Sequence, residues 1–409
     1  MLDLGVWQEI FSTMGKNKLR TFLTSFSVFW GIFILMILLG SGNGLKKGVM
    51  HNFSDATNSV WMWGGMTSMA HEGLNSGRAI EFKNDDLEIL DRGFDELENL
   101  SGRIGLWGGE YHTNYKNEYG DFGIQAIMPG HQVTENIKPM SGRLLNQLDM
   151  DKFRKVTVIG RIVQERLFKN EDPIGKYVNI NGMPFLVVGV FDDVHEGETE
   201  RLYIPLTVAQ KTFRPGTAVN TITFTTGNAT VAESEVLIEE IKQKLAKKHG
   251  FNVEDQSAMG AWNALKEYKQ MLSLFNGINI FVGIIGIFTL IAGLVGVSNI
   301  MLIVVKERTK EIGIRKAIGA TPGSIIGLVI LESLVITAVA GYLGLLCGIG
   351  LLEFIASKMP ASDFFRNPGV DFRVAIGAAL MVVLAGVIAG FVPARRAAKI
   401  KPIIALRDE

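Results

Sequence analysis

Four stretches of this chain are too long and too apolar to fold as ordinary soluble helices. Thr21 to Gly40 and Met271 to Val305 carry no charged residue, Ile325 to Leu352 carries only Glu332, and Val374 to Ala394 carries none. Crossing roughly 30 Å of hydrocarbon takes about 20 apolar residues in a helix. Inside that layer every backbone polar group must find its partner within the segment, which a helix provides. The pattern therefore predicts an α-helical membrane protein with four transmembrane helices, at 21–44, within 261–305, at 323–356 and at 373–394. The first stretch could be mistaken for a secretory signal. It is longer than an h-region, lacks an Ala-x-Ala site and follows about 20 residues of chain, so a retained signal-anchor is expected.

Lys and Arg near helix ends set orientation. Lys16, Lys18 and Arg20 precede the first segment. Lys306, Arg308, Lys310, Arg315 and Lys316 follow the second, and Arg395, Arg396, Lys399, Lys401 and Arg407 follow the fourth. The link between segments three and four has only Lys358 and Arg366. Both termini are expected on the cytoplasmic side, with a large soluble region at 45–260 on the other. Lys46 and Lys47 argue weakly the opposite way, but long domains translocate largely regardless of charge.

Lys+Arg and Asp+Glu both total 41, so the basic excess of a nucleic-acid binder is missing. Cys347, the sole cysteine, cannot form an intrachain disulfide.

The soluble region reads as mixed α and β. Leu87, Leu90, Phe94 and Leu97 recur at helical spacing and predict a helix over 81–100, capped by Asn84 or Asp85. Strands are expected around 103–107, 122–128, 156–159, 177–180, 185–190 and 221–225, with helices at 161–168 and 232–249. Asn181-Gly182 is a hairpin turn signal. This order suggests small open α+β sandwiches. Residues 261–270 are polar and helix-forming and run into the second membrane segment without a breaker. A helix over 261–305 would span about 65 Å, roughly twice the hydrocarbon layer, and its excess would stand outside as a stalk. Residues 1–20 read as an amphipathic helix, with Trp7, Ile10, Phe11 and Met14 on one side. It lies either in the membrane interface or against the bundle. Gly277, Gly283, Gly286, Gly293 and Gly296, and Gly341, Gly344, Gly348 and Gly350, are read as helix-packing positions.

Motifs for chemistry are missing. No GxxxxGK[ST] occurs, His71-Glu72 lacks a second His at zinc-hydrolase spacing, and there is no GxSxG. The six histidines are scattered through the soluble region. The chain is expected to hold no cofactor and no metal of its own and to have no catalytic residues. Glu332, inside a membrane segment, is expected to snorkel or to pair with a base such as Arg315 or Lys316, ahead of serving a proton relay.

Residues 306–322 join the second and third membrane segments. They pack charge and helix formers together with apolar Ile312, Ile314 and Ile318, which a simple positive-inside anchor does not require. Gly313 and Gly319 would permit a bend and a C-cap, and Thr321-Pro322 would start the next helix. This short element is expected to dock on a soluble partner.

The run from Lys306 to Ala320, KERTKEIGIRKAIGA, resembles the signature of the MacB/FtsX-like ABC transporter permeases. Asn17 to Thr24 (NKLRTFLT) is similar to the start of that family's first membrane helix, and Pro393 to Arg407 to its ending. Between them, Ser141-Gly142-Arg143, Val158-Ile159-Gly160, Leu167-Phe168, Pro173-Ile174-Gly175-Lys176 and Val187-Val188-Gly189-Val190 fall in the family's order.

The resemblance implies a MacB-like α+β domain at 45–260, inserted between membrane helices one and two. A short outer loop at 357–372 and a cytoplasmic tail at 395–409 complete the layout. It implies a multi-pass permease of the bacterial cytoplasmic (inner) membrane, working as a dimer with a second copy or a paralogue. A separate ABC ATPase subunit would bind ATP and Mg, and a periplasmic adaptor and outer-membrane channel are further candidate partners. The coupling helix on the ATPase would use Glu307, Arg308, Glu311, Ile312, Gly313, Arg315, Lys316, Gly319 and Ala320. Closure of the ATPases would move the outer domain through the stalk, a mechanotransmission that drives export or efflux of a drug, peptide or lipoprotein-like substrate. The alternative is a signalling permease that activates an outer partner such as a cell-wall hydrolase. Residues 58–78, with Trp61 and Trp63, match nothing in the pattern.

Overall fold

A computed structural model of the chain describes residues 18–51, 58–106, 111–193, 195–359 and 365–402. The helix expected within 1–20 lies almost wholly outside them. The chain forms two compact units, one ending at His51 and resuming at Leu272, the other lying between. The first unit opens with α1 (Lys18–His51).

The inserted unit begins with β1 (Ser59–Gly64), β2 (Phe82–Lys83), α2 (Asn84–Gly93) and β3 (Glu98–Leu106). It continues with β4 (Thr113–Tyr115), β5 (Glu118–Gly120), β6 (Gly123–Ile127), α3 (Pro129–Thr134), β7 (Lys138–Gly142) and α4 (Gln147–Asp151). Then come β8 (Val156–Gly160), α5 (Arg161–Leu167), β9 (Tyr177–Ile180), β10 (Met183–Asp192), α6 (Glu196–Thr199), β11 (Arg201–Pro205) and α7 (Leu206–Thr212). Finally β12 (Ala218–Val219), β13 (Thr221–Thr225), α8 (Val231–His249) and β14 (Met259–Asn263) complete it. Twelve strands form one mixed sheet in the order β14-β1-β13-β3-β6-β11-β8-β10-β9-β4-β5, with β7 on β10; β12 and β2 pair separately. The small sandwiches expected from local order are thus one continuous sheet, because β11 pairs with both β6 and β8 and joins the two halves.

Register sorts the central strands into two faces. Side chains alternate along a strand, and paired residues share a face. Ile104, Ile124, Ala126, Leu202, Ile204, Ile222 and Phe224 are buried on one side. A Cβ at Gly102 on that side would meet Leu87 of α2 and Leu206 of α7. The opposite side carries Arg103, Gln125, Arg201, Tyr203 and Thr223.

Local signals explain several ends. Thr230 and Glu233 form a reciprocal cap on α8, Thr230 Oγ1 accepting from Glu233 N and the Glu233 carboxylate from Thr230 N, and Gly250 at φ 65° closes the other end. The Asn181-Gly182 turn has positive φ at both residues, 49° and 81°, as a two-residue hairpin requires. The helix expected over 81–100 stops at Gly93. Phe94 and Leu97 still pack against the core from outside the helix, which is why the apolar spacing runs on, and Glu98 already pairs in the sheet.

The second half of the helical unit holds α9 (Ala264–Glu307), α10 (Thr309–Ala317), α11 (Pro322–Lys358) and α12 (Phe372–Ala398). Residues 261–263, expected to be helical, instead pair with β1, and Asn263 Oδ1 accepts from Lys266 N at 3.2 Å to start α9. With 44 residues α9 is about 66 Å long; its first turns, to Met271, belong to the inserted unit. The fourth membrane segment, expected at 373–394, runs through Pro393 and on to Ala398. Proline is tolerated in membrane helices that neighbours enclose, and Pro393 is buried. Four helices, α1, α9, α11 and α12, are long and apolar enough to cross a membrane, and the chain is a multi-pass membrane protein.

Close approach in this unit rests on small residues. A Cβ at Gly344 would lie 2.6 Å from the Phe29 carbonyl of α1, and one at Gly341 would lie 2.5 Å from Val382 of α12. Gly286 approaches Leu35 and Gly293 approaches Val28, but Gly277, Gly283, Gly296 and Gly350 meet nothing within 4 Å among the described residues. Among the described residues, the packing role expected of all nine glycines is therefore seen for only some of them. At the far end of α1, Asn43 Nδ2 and Lys47 Nζ donate to the carbonyls of Gly369 and Asn367.

Candidate functional site

The 306–322 connection holds two breaks in helical geometry. At the first, Arg308 leaves helical geometry with φ −93° and ψ 15°, a single residue between α9 and α10. The second break follows Ile318. Gly319, at φ 106°, donates to Lys316 O, and Ala320 N donates to Arg315 O, the paired bonds of a Schellman end. Thr321 then caps α11 by accepting from Ser324 N, and Pro322 takes the first helical position.

Most of the nominated residues face their own bundle. Ile312 is 6% exposed and packs in the apolar cluster with Val305, Ile325 and Val329, and Gly313 is buried beside it. Arg308 holds Glu311 with two bonds, Nε to Oε2 at 2.9 Å and Nη2 to Oε1 at 3.0 Å, and Glu311 Oε1 also accepts from Arg315 Nη2 at 2.9 Å. Arg308 Nη1 reaches Glu332 Oε2 on α11 at 3.2 Å. Glu332 is thus paired with a base, as expected; the bases it meets include Arg308, which was not one of the two examples, Arg315 and Lys316, that the sequence offered. Lys316 Nζ instead donates to the carbonyls of Ala398 and Ile400 at the end of α12. Arg308, Glu311, Arg315 and Glu332 line a cavity of about 20 Å³, room for about one water-sized sphere.

The outward face is a different set. Ile314 and Ile318 are 43% and 83% exposed. With exposed Lys310 and Ala317 they fall at i, i+4, i+7 and i+8, one side of the helix. Glu307 and Gly319 are also exposed, and Ala320 packs half-buried against the bundle. The nine nominated residues mix inward Ile312 and Gly313 with outward Glu307 and Gly319; Ile314 and Ile318, whose apolar character suggested docking, were not among them, nor were Lys310 and Ala317. The missing signal was helical phase: once Ile312 is assigned to the core, Ile314 and Ile318 must point elsewhere.

A second polar assembly lies within the inserted unit, on the sheet face under α3. Trp61 Nε1 donates to Glu135 Oε1 at 3.2 Å, His131 Nδ1 lies 3.3 Å from Thr223 Oγ1, and Glu198 pairs with Arg201. Burial pushes the His131 pKa down to about 3, and the charges of Arg103 and Arg201 add to the shift. The ring is therefore neutral, and its 3.7 Å approach to Glu135 is not an ion pair. Burial raises Glu135, with the Glu198 charge adding, and burial also raises Glu198 and lowers Arg103. Neither polar atom of the Gln125 carboxamide on this face has a partner among the described residues.

Residues 58–78 contribute β1 and a looped excursion. Ser68 N, Ser68 Oγ, Met69 N and Ser257 N all donate to the Asp255 carboxylate, at 2.7 to 3.0 Å. Arg78 Nη2 closes the excursion onto the Gly250 carbonyl at 2.6 Å.

Two family models cover this architecture. Residues 21–247 match the MacB-like periplasmic core domain, and residues 283–402 match the FtsX-like permease C-terminal region. The macrolide export ATP-binding/permease protein MacB of Bdellovibrio bacteriovorus is 25% identical over 405 residues, which are 98% of this chain and 61% of that protein. The uncharacterized ABC transporter permease YknZ of Bacillus subtilis is 27% identical over 404 residues, 97% of each chain. The crystal structure of the periplasmic region of MacB from Actinobacillus actinomycetemcomitans is similar at 22% identity and a TM-score of 0.45, over 55% of this chain and 97% of that one. The chain therefore spans about three fifths of the first relative and nearly all of the second. With the first family match alone taking in more than half of its residues, the chain belongs to the FtsX-like ABC transporter permeases that carry a MacB-like periplasmic core domain.

Proposed function

We propose that the chain is the permease subunit of an ABC-type exporter and that α10 is its coupling helix. The partner is an ATPase subunit that binds ATP and Mg outside these 409 residues, which contain no GxxxxGK[ST]. The observation that carries this reading is the exposure of Ile314 and Ile318 on a helix whose other side is tied to its own bundle. Two isoleucines beside Lys310 on a short, anchored helix suit a protein pocket with a polar rim.

The Lys and Arg clusters at 306–316 and 395–401 support a cytoplasmic location for α10 and for both termini, in a bacterial inner membrane. The unbroken length of α9 supports mechanotransmission, with a push at α10 reaching the inserted domain at Ala264. The unfilled glycines of α9 and its exposed Phe281, Ile284 and Phe288 suit a second permease copy or paralogue. Macrolide export by a relative supports a drug-like or peptide-like cargo, and a periplasmic adaptor with an outer-membrane channel would complete the route.

The test is copurification. The full chain is expected to bring down an ATP-hydrolysing protein, and Ile314→Asp with Ile318→Asp is expected to lose it while inserted-domain unfolding is unchanged. Retention of the ATPase by the double variant would remove the docking assignment.

A further inference from the structure

We propose that Arg308 and Glu332 form an ionic latch that sets the angle of α10 on α11, so that α10, α11 and the end of α12 move as one body. This rests on the coupling reading only for its purpose; the latch itself is a property of the chain alone.

The joint between α9 and α10 is one residue, Arg308, off helical dihedrals; its N–H donates to Val304 O and its carbonyl accepts from Ile312 N, both at 2.9 Å, but neither bond ties α10 to α11. Side chains supply the missing constraint. Arg308 is 17% exposed and Glu332 is 5% exposed at the side chain. The Glu332 carboxylate lies in an apolar membrane segment, where a charge without a partner is strongly disfavoured. The guanidinium is planar and its donors point in fixed directions. Two of those donors are committed to Glu311, on α10 itself, and Nη1 goes to Glu332 on α11. The plane of one side chain thereby fixes one helix against the other. Arg315 holds Glu311 from the next turn and keeps the fork in place.

The other end of α10 is held separately. Lys316 Nζ donates to two carbonyls at the C-terminal end of α12, where a cation is favoured by the free carbonyls and the helix dipole. A push on Ile314 and Ile318 therefore has two routes, along α9 and through these pins into α11 and α12. Glu332 is a positioning residue: it touches neither the proposed partner nor any cargo.

The test uses the full chain in lipid nanodiscs, with Cys347→Ser and spin labels at Ile314→Cys and Tyr342→Cys, both outward-facing positions. Electron-electron distance measurement is expected to give one narrow distribution. Glu332→Gln is expected to broaden it at least twofold, and Glu332→Asp, which keeps the charge, to stay close to the parent width. Should Glu332→Gln fail to fold, Arg308→Lys takes its place, since it keeps the charge but loses the fork; broadening is again expected. A distribution as narrow as the parent's in either variant overturns the latch. Loss of ATPase binding in the Ile314→Asp and Ile318→Asp chain tests the coupling reading separately, because neither residue belongs to the latch.

Discussion

Lys316 on α10 donates to the carbonyl of Ala398, the last residue of α12, at 2.6 Å, and to Ile400 O at 2.9 Å. The Ala398 carbonyl closes a helix whose last backbone acceptors have no intrahelical donor, and Ile400 lies two residues beyond it. Lys316→Met keeps the apolar stem and removes the donor. Amide exchange at 396–402 is expected to speed up roughly tenfold, the equivalent of about 1.4 kcal/mol, within the range for one ordinary hydrogen bond. Unchanged exchange would mean that the contact holds nothing.

The buried His131 makes the inserted domain sensitive to acid. Its folded pKa, about 3, lies below the ordinary 6.5, so the unfolded chain takes up a proton that the folded one refuses. This contribution is fully present above pH 6.5 and is lost as pH falls toward 3. The slope is at most about 1.4 kcal/mol per pH unit. Glu135 and Glu198 act in the opposite sense, since their raised pKa values favour the folded state at low pH and lose that effect as pH rises through them. His131→Phe is expected to flatten the fall in melting temperature between pH 7 and 5 relative to the parent. Parallel curves for the two chains would contradict it.

Asp255 ties down the 65–79 excursion. Burial alone would raise its pKa, but the bonds it accepts from Ser68, Met69 and Ser257 outweigh that and hold it at about 2. Its contribution is present above the ordinary 3.8 and is lost as pH falls through about 2. At neutral pH, Asp255→Ala is expected to release the excursion and to speed tryptic cleavage after Arg78 about tenfold, by losing bonds worth roughly 1.4 kcal/mol. Cleavage at the parent rate would show that β1 and the Arg78–Gly250 bond suffice.

What could be read from sequence was local. The membrane helices follow from apolar length, the α8 cap from Thr230 and Glu233, and the hairpin from Asn181-Gly182. What could not be read depended on distant partners. Trp262 reads as helix until β1 is available to pair with it. Leu97 keeps the helical spacing of Leu87 and Leu90 although Gly93 has ended the helix, because loop and helix pack on one core. Among the candidate site residues, charge and composition marked the 306–322 segment, but not which side of it faces out. Ile312, Ile314 and Ile318 are chemically identical, and only the packing of α10 on α11 and α12 separates them. The pairing of Arg308 with Glu332 likewise depends on the change of backbone geometry at residue 308.

The most direct measurement places a photocrosslinking phenylalanine at Ile318 in the full chain, in its own cells, and identifies the captured protein by mass spectrometry. Docking of α10 on an ATPase predicts a protein containing GxxxxGK[ST], with no such capture from a control at Phe354, 60% exposed on a membrane helix. Capture of lipid alone, or of the same proteins from both positions, would contradict it.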